Sequence, residues 1–160
     1  MTRLPQAVLD GFARSYAVAC AFVTDPEGRP LIVKPTYRPE WQFVGGMVDL
    51  GEAPHEACAR EVKEEIGLDL AVGDLLVLDY EPVNPFVAAP MSVYVFDCGT
   101  LSEPTRIRLQ ESELEAFEFL PAAAAAAKFH PVNAPRLARA AAARRTGRTT
   151  YVPQGGWSDR

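Results

Sequence analysis

The strongest constraint on this chain is the run from Ala53 to Ile66, which holds no glycine and whose only proline is Pro54. A proline in the first helical turn is tolerated because its missing N–H would have no partner there anyway, so the run predicts a helix. At about 100° per residue, Glu61, Glu64 and Glu65 fall within an arc of roughly 100°. Cys58, Ala59, Val62 and Ile66 form the adjacent apolar stripe, and Glu56, Arg60 and Lys63 take the remainder. Such a helix must lay its apolar stripe on another element while its margin gathers carboxylates. Like charges three and four residues apart repel by a few tenths of a kcal/mol, at about 0.2–0.5 per pair. Something has to offset that repulsion, and a hard divalent cation suits carboxylate oxygens.

The flanking sequence supplies the surface to pack on. Ser15–Thr24 is apolar and partly β-branched, and Asp25-Pro26-Glu27-Gly28 after it has turn chemistry. Leu31–Val33 reads as a second strand, broken by Pro35 and Pro39 into a loop with Lys34, Tyr37 and Arg38. Trp41–Val44 reads as a third strand, stopped by Gly45-Gly46. Beyond Gly67, which fits a left-handed C-cap, Leu75–Val83, Met91–Cys98 and Leu114–Leu120 are strand candidates. Pro82–Pro90 between the first two reads as a loop able to set specificity. Ala122–Ala127 and Asn133–Arg145 predict packing helices, the second ending at Gly147, and 147–160 reads as an irregular tail. Strands are thus expected on both sides of the acidic helix.

The chain has 160 residues, the length of one ordinary domain, and residues 1–160 are expected to form one. With 48% hydrophobic and 23% charged residues it lacks the signature of disorder. Its net charge of -5 argues against a protein that coats nucleic acid, so a phosphate site would have to be local. Cys20, Cys58 and Cys98 are too far apart in sequence for a CxxC pair and are expected to be buried, reduced thiols. Met1–Asp10 lacks a signal-peptide core and no apolar run reaches membrane-spanning length, so a cytoplasmic location away from membranes is expected.

Gly46, Glu52 and the run Arg60-Glu61-Val62-Lys63-Glu64-Glu65-Ile66-Gly67-Leu68 match the pattern G-x5-E-x7-R-E-U-x-E-E-x-G-U, with U aliphatic, at every specified position. This is the Nudix box, and over residues 46–68 the chain resembles the Nudix hydrolase family. By average residue frequencies such a match arises by chance on the order of 10⁻⁸ per chain of this length. The resemblance implies a Nudix-type α/β/α sandwich with a mixed β-sheet. It also implies a metal-dependent pyrophosphohydrolase that cleaves the diphosphate linkage of a nucleoside triphosphate or a nucleoside diphosphate derivative, using Mg²⁺ with Mn²⁺ as a possible substitute.

Roles follow from the same resemblance. Glu64 and Glu65 are the principal metal ligands, joined by the backbone carbonyl of Gly46, which a glycine loop can present without a side chain in the way. Glu61 orients or deprotonates the attacking water or reaches a metal, and Arg60 holds Glu61 through its planar fork of donors. Glu52 is an outer ligand or a loop anchor. Glu113, and after it Glu111, lie where relatives often carry a further base or ligand. Val44 stands where many relatives have proline, which would leave the glycine loop less rigid.

Outside the box, Arg38 and Lys34 are candidates for binding substrate phosphate, Arg38 the better because guanidinium binds phosphate bidentately. Tyr37, Trp41, Phe43, Tyr80 and Phe86 are candidates for stacking on a base, although core packing is the commoner fate of such residues. His55 and His130 lack metal-binding spacing. A small nucleotide is the expected partner rather than an extended nucleic acid, with the chain a monomer or a homodimer. The competing readings are a catalytically silent nucleotide sensor on the same fold and, third, a prenyl diphosphate isomerase.

Overall fold

The computed structural model describes residues 3–84 and 88–153. A short helix, α1 (Gln6–Leu9), precedes β1 (Tyr16–Thr24), β2 (Leu31–Pro35) and β3 (Val44–Met47). The acidic helix α2 (Pro54–Ile66) leads to β4 (Leu75–Asn84) and β5 (Ala89–Thr100), then β6 (Leu114–Phe119), α3 (Ala122–Lys128), α4 (Pro135–Thr146) and β7 (Thr150–Pro153). Five strands form a mixed sheet in the order β3-β1-β5-β4-β7, and β2 pairs with β6 in a separate two-stranded sheet. Within the larger sheet β1–β5 and β4–β7 are parallel, while β1–β3 and β4–β5 are antiparallel.

Alternation along β1 divides the core in two. Ala19, Ala21 and Val23 face Ala57, Cys58, Val62 and Ile66 of α2. Cys20 and Phe22 point the other way, into a cluster with Ala125 of α3 and Leu137, Ala140 and Ala143 of α4. This is the α/β/α sandwich expected from the resemblance. The β2–β6 sheet closes the α2 side, contributing Leu31, Val33 and Leu114.

Helix α2 has Pro54 at its start, the Glu56 carboxylate returning to the Ala53 N–H at 2.7 Å, and Gly67 at φ 70° as its C-cap. Its buried stripe is not quite the one the wheel predicts. Ala59 is exposed, and Ala57 and Glu65 are buried in its place, because β3 packs closely enough to cover Glu65 as well.

Three further elements depart from expectation. The third strand does not stop at the glycines: it begins at Val44 and runs through both to Met47, while Trp41 and Gln42 make only isolated bridges. The approach of β1 explains this, since a Cβ on Gly45 would lie 2.2 Å from the Ala19 carbonyl oxygen. Val44 pairs with Ala21 and is wholly buried, so the strand ladder restrains the position where proline is missing. The tail is not irregular throughout either, for Thr150–Pro153 adds a strand parallel to the exposed edge of β4. The predicted Pro82–Pro90 loop shrinks to the connection between β4 and β5, as Asn84 pairs with Ala89. Among the described residues no helix is long and apolar enough to cross a membrane.

Candidate active site

The last two turns of α2 lie over β3, which brings Arg60, Glu61, Glu64 and Glu65 to the two glycines. Arg60 is the hub. Its Nη2 donates to Glu52 Oε1 at 2.7 Å and to the Met47 carbonyl at 3.0 Å, and its Nη1 donates to Glu61 at 2.8 Å and Glu64 at 3.0 Å. A rigid fork of donors can serve four acceptors in this way and an ammonium cannot. Glu52 also accepts the Asp49 N–H at 2.8 Å, so it ties the loop between β3 and α2 to Arg60. Those bonds hold the Glu52 carboxyl below the usual carboxylate range.

Glu65 is 3% exposed and accepts the Gly45 N–H at 2.7 Å. Burial pushes its carboxyl up to about 8, with Glu61 and Glu113 adding to the rise against the pull of the Gly45 N–H and Arg38. Glu61 is also raised, chiefly by burial and then by Glu64 and Glu113, with Arg60 opposing. It lies directly against Gly46, where a Cβ would come within 2.4 Å of its Oε1. Glu64 is half exposed and faces Arg60.

Glu113 sits in the turn before β6, close enough for its charge to act on both Glu61 and Glu65. Two bonds keep that turn near α2: the Gln110 N–H donates to the Glu65 carbonyl at 3.0 Å, and the Gln110 side chain to Glu113 at 3.1 Å. Glu111 is exposed on the same turn. Arg38 also lies within electrostatic reach of Glu65, whereas Lys34 is engaged with Glu115 and two backbone carbonyls.

The aromatic candidates separate. Phe43 is buried, edge-on to Phe22 and Phe129, and belongs to the core. Trp41 packs against the same cluster with the Lys128 ammonium 4.3 Å from its ring centroid. Tyr80 is partly buried, Tyr37 is exposed, and Phe86 lies outside the described residues. His55 and His130 are both exposed. All three cysteines are buried and free: burial pushes Cys20 up to about 12, and Cys58 and Cys98 face each other with sulfurs 3.8 Å apart.

Sequence reading missed the Gly45 N–H that holds Glu65, since only Gly46 stands in the box pattern. It also missed the buried Arg136, whose Nε donates to Asp79 at 2.6 Å and whose Nη2 donates to Glu81. The signal was available: Val77, Asp79 and Glu81 alternate onto one face of β4.

Chemically the site offers hard oxygen donors. Among the described residues no three acidic, histidine or cysteine side chains converge into a metal-holding set as they stand, because Arg60 holds Glu61 and Glu64 and Gly45 holds Glu65. Yet Glu61 and Glu65, both raised by burial, lie next to Glu64 and Glu113, and carboxylates gathered in this way are short of positive charge. A divalent cation fits that deficit.

Fold and site together define an α/β sandwich protein with a cluster of carboxylates between a glycine strand and a helix. The NUDIX domain model matches residues 13–140, and the chain belongs to that family. Nudix hydrolase 2 of Arabidopsis thaliana is 33% identical over 81 residues, which are 51% of this chain and 28% of that protein. The chain spans only 18% to 36% of the length of the curated relatives it matches. The MutT protein of Methanosarcina mazei Go1 shares the fold with a TM-score of 0.67 at 18% identity, over 84% of this chain and 96% of that one. An ADP-ribose pyrophosphatase from Streptococcus suis does so with a TM-score of 0.65 at 20% identity, over 88% and 100%.

Proposed function

We propose that this protein is a metal-dependent pyrophosphohydrolase that cleaves the diphosphate linkage of a nucleoside triphosphate or nucleoside diphosphate derivative by attack of water at phosphorus. The observation that carries this reading is the pair of desolvated carboxylates, Glu61 and Glu65, set against Gly46 and Gly45 with Glu64 beside them. Glu61, Glu64, Glu65 and the Gly46 carbonyl would hold Mg²⁺, or Mn²⁺ in its place. When bound, the ion supplies charge for the phosphate oxygens and lowers the pKa of a water.

The chain's own residues do the remainder. Arg60 fixes Glu61, whose raised affinity for a proton suits it to take one from the attacking water. Glu113 is the second candidate for that proton. Arg38 receives phosphate oxygens. To hold a cation, Glu65 would give up a proton that burial favours, so affinity for the cation would depend on pH. A small substrate is favoured because the chain carries no extended basic run to track a polymer. The ADP-ribose pyrophosphatase that shares the fold makes a nucleoside diphosphate derivative one reasonable member of the panel.

The test is a chromatographic product assay with Mg²⁺ and Mn²⁺ across dNTPs, oxidised dNTPs, ADP-ribose, nucleotide sugars and dinucleoside polyphosphates, run beside Glu64→Gln. Selective cleavage that disappears in the variant is the expected result. Metal-dependent binding with the ligand recovered intact would replace this reading with a nucleotide sensor.

A further inference from the structure

Lys34 and Arg38 share a loop but not a situation. Lys34, at the end of β2, is 19% exposed. Its Nζ donates to the Pro35 carbonyl at 3.0 Å and the Arg38 carbonyl at 2.8 Å, and pairs with Glu115 Oε1 on β6 at 2.9 Å. An ammonium has three N–H donors; two are spent on backbone carbonyls of its own loop, and the charge is paired with the Glu115 carboxylate. A substrate oxygen would have to compete with all of these partners.

Arg38 is the converse. Its Nε is buried and has no hydrogen-bond partner among the described residues, and its guanidinium carbon lies 5.7 Å from the centroid of the Tyr37 ring. A buried donor without an acceptor is costly, and five donors in a planar fork match the oxygens of a phosphate. The main chain that carries Arg38 is pinned at each end: the Thr36 N–H donates to the Glu113 carbonyl at 2.8 Å, and Lys34 grips Pro35 and Arg38.

We infer that Lys34 is a positioning residue: its ammonium closes the Pro35–Arg38 turn onto β6 and so holds the Arg38 guanidinium ready for the phosphate oxygens of the substrate, which Lys34 itself does not touch. This rests on the function proposed above and divides the two basic candidates into a ligand and its support. The division has a physical motive. An arginine on an unrestrained loop would have to be ordered at each binding event, and prior ordering by Lys34 removes that cost from the affinity.

The experiment is a double-mutant cycle read by calorimetry, with inorganic pyrophosphate and Mg²⁺ as the probe and thermal melting as the check on folding. Arg38→Ala is expected to weaken binding by roughly 10–100-fold, as loss of charge-assisted hydrogen bonds does. Lys34→Met is expected to weaken it by roughly 3–10-fold alone and to add nothing in the Arg38→Ala background, because it acts through Arg38. Glu115→Gln loosens the same ammonium and gives a smaller loss that also vanishes without Arg38; it is the variant to read if Lys34→Met does not fold. Losses that multiply in the double variant would mean that Lys34 contacts the anion itself, and would overturn the inference while nucleotide cleavage by the wild type keeps the functional reading. A wild type that neither binds pyrophosphate nor cleaves a nucleotide would overturn both.

Discussion

Replacing Gly46 by alanine isolates the position of one carboxylate from the integrity of the fold. Gly46 does not have a positive φ, so alanine introduces no backbone strain there. The new Cβ would lie 2.4 Å from Glu61 Oε1, 2.7 Å from Cδ and 3.0 Å from Oε2. To reach ordinary contact the carboxylate must retreat by about 1 Å. Since the atoms displaced are the far end of a flexible side chain, the cost in stability should be near the low end for overpacking, about 1 kcal/mol, or roughly 2–4 °C in Tm. The cost in rate should be much larger. A misplacement of about 1 Å in a reacting group lowers kcat by roughly 10²-fold, equivalent to about 2.7 kcal/mol. Gly45→Ala is the contrast: at φ 143°, its Cβ would sit 2.2 Å from the Ala19 carbonyl oxygen and 2.8 Å from the Cys20 Cα, where only backbone can yield. That variant should lose about 3 kcal/mol or more and fold poorly. Kinetics and melting curves on both proteins decide the matter. A Gly46→Ala protein with wild-type kcat, or one that unfolds as readily as Gly45→Ala, would refute the reasoning that Glu61 works from its place against Gly46.

Three other outcomes are expected. In metal-free protein the Glu65 carboxyl keeps its proton to about pH 8 in the folded state, against an ordinary value of 4.5. The fold therefore binds more protons than the unfolded chain between those values, and stability falls as pH rises through that window, by on the order of a few kcal/mol. Denaturant melts in chelator from pH 5 to 8 should show the slope, Glu65→Gln should flatten it, and Mg²⁺ should oppose it most strongly at the alkaline end. Arg60→Lys keeps the charge and loses the fork that serves Glu52, Glu61, Glu64 and Met47; kcat should fall by roughly 10–100-fold with a Tm change of only a few degrees. Arg136→Met takes the guanidinium from two carboxylates that are almost wholly buried, Asp79 and Glu81, and should cost about 3–5 kcal/mol in urea unfolding.

Most of the sheet and the extent of α2 were legible because each residue run reports its own environment. The continuous apolar run within Tyr16–Thr24 marks a strand covered on both faces, by α2 and by α4, and the proline, glutamate and glycine at the ends of α2 act within a single turn. What escaped depends on a second segment. The run Thr150–Pro153 holds strand-prone Thr, Tyr and Val, but it is only four residues long and ends in proline, and it becomes a strand because β4 offers it a parallel edge. The two glycines of β3 read as a stop because glycine weakens strands in general. Only the closeness of Ala19 on β1 makes the absence of a side chain a requirement.

The site shows the same division. Composition and spacing assemble Arg60, Glu61, Glu64 and Glu65 on one helix, but a helical wheel counts every glutamate as polar and cannot tell the exposed one from the buried one. The half-exposed Glu64 keeps a water-facing carboxylate on the Arg60 fork, whereas Glu65, one residue on, turns under β3 into the stripe assigned to Ala59. That 100° step separates an exposed carboxylate from one that burial drives to hold its proton up to about pH 8. In the proposed metal-bound state Glu65 must surrender that proton. At pH 7 the Glu65→Gln protein should therefore release fewer protons on binding Mg²⁺ than the wild type. Calorimetry in buffers of different ionisation enthalpy measures that count, and equal proton release from the two proteins would remove Glu65 from the loading step.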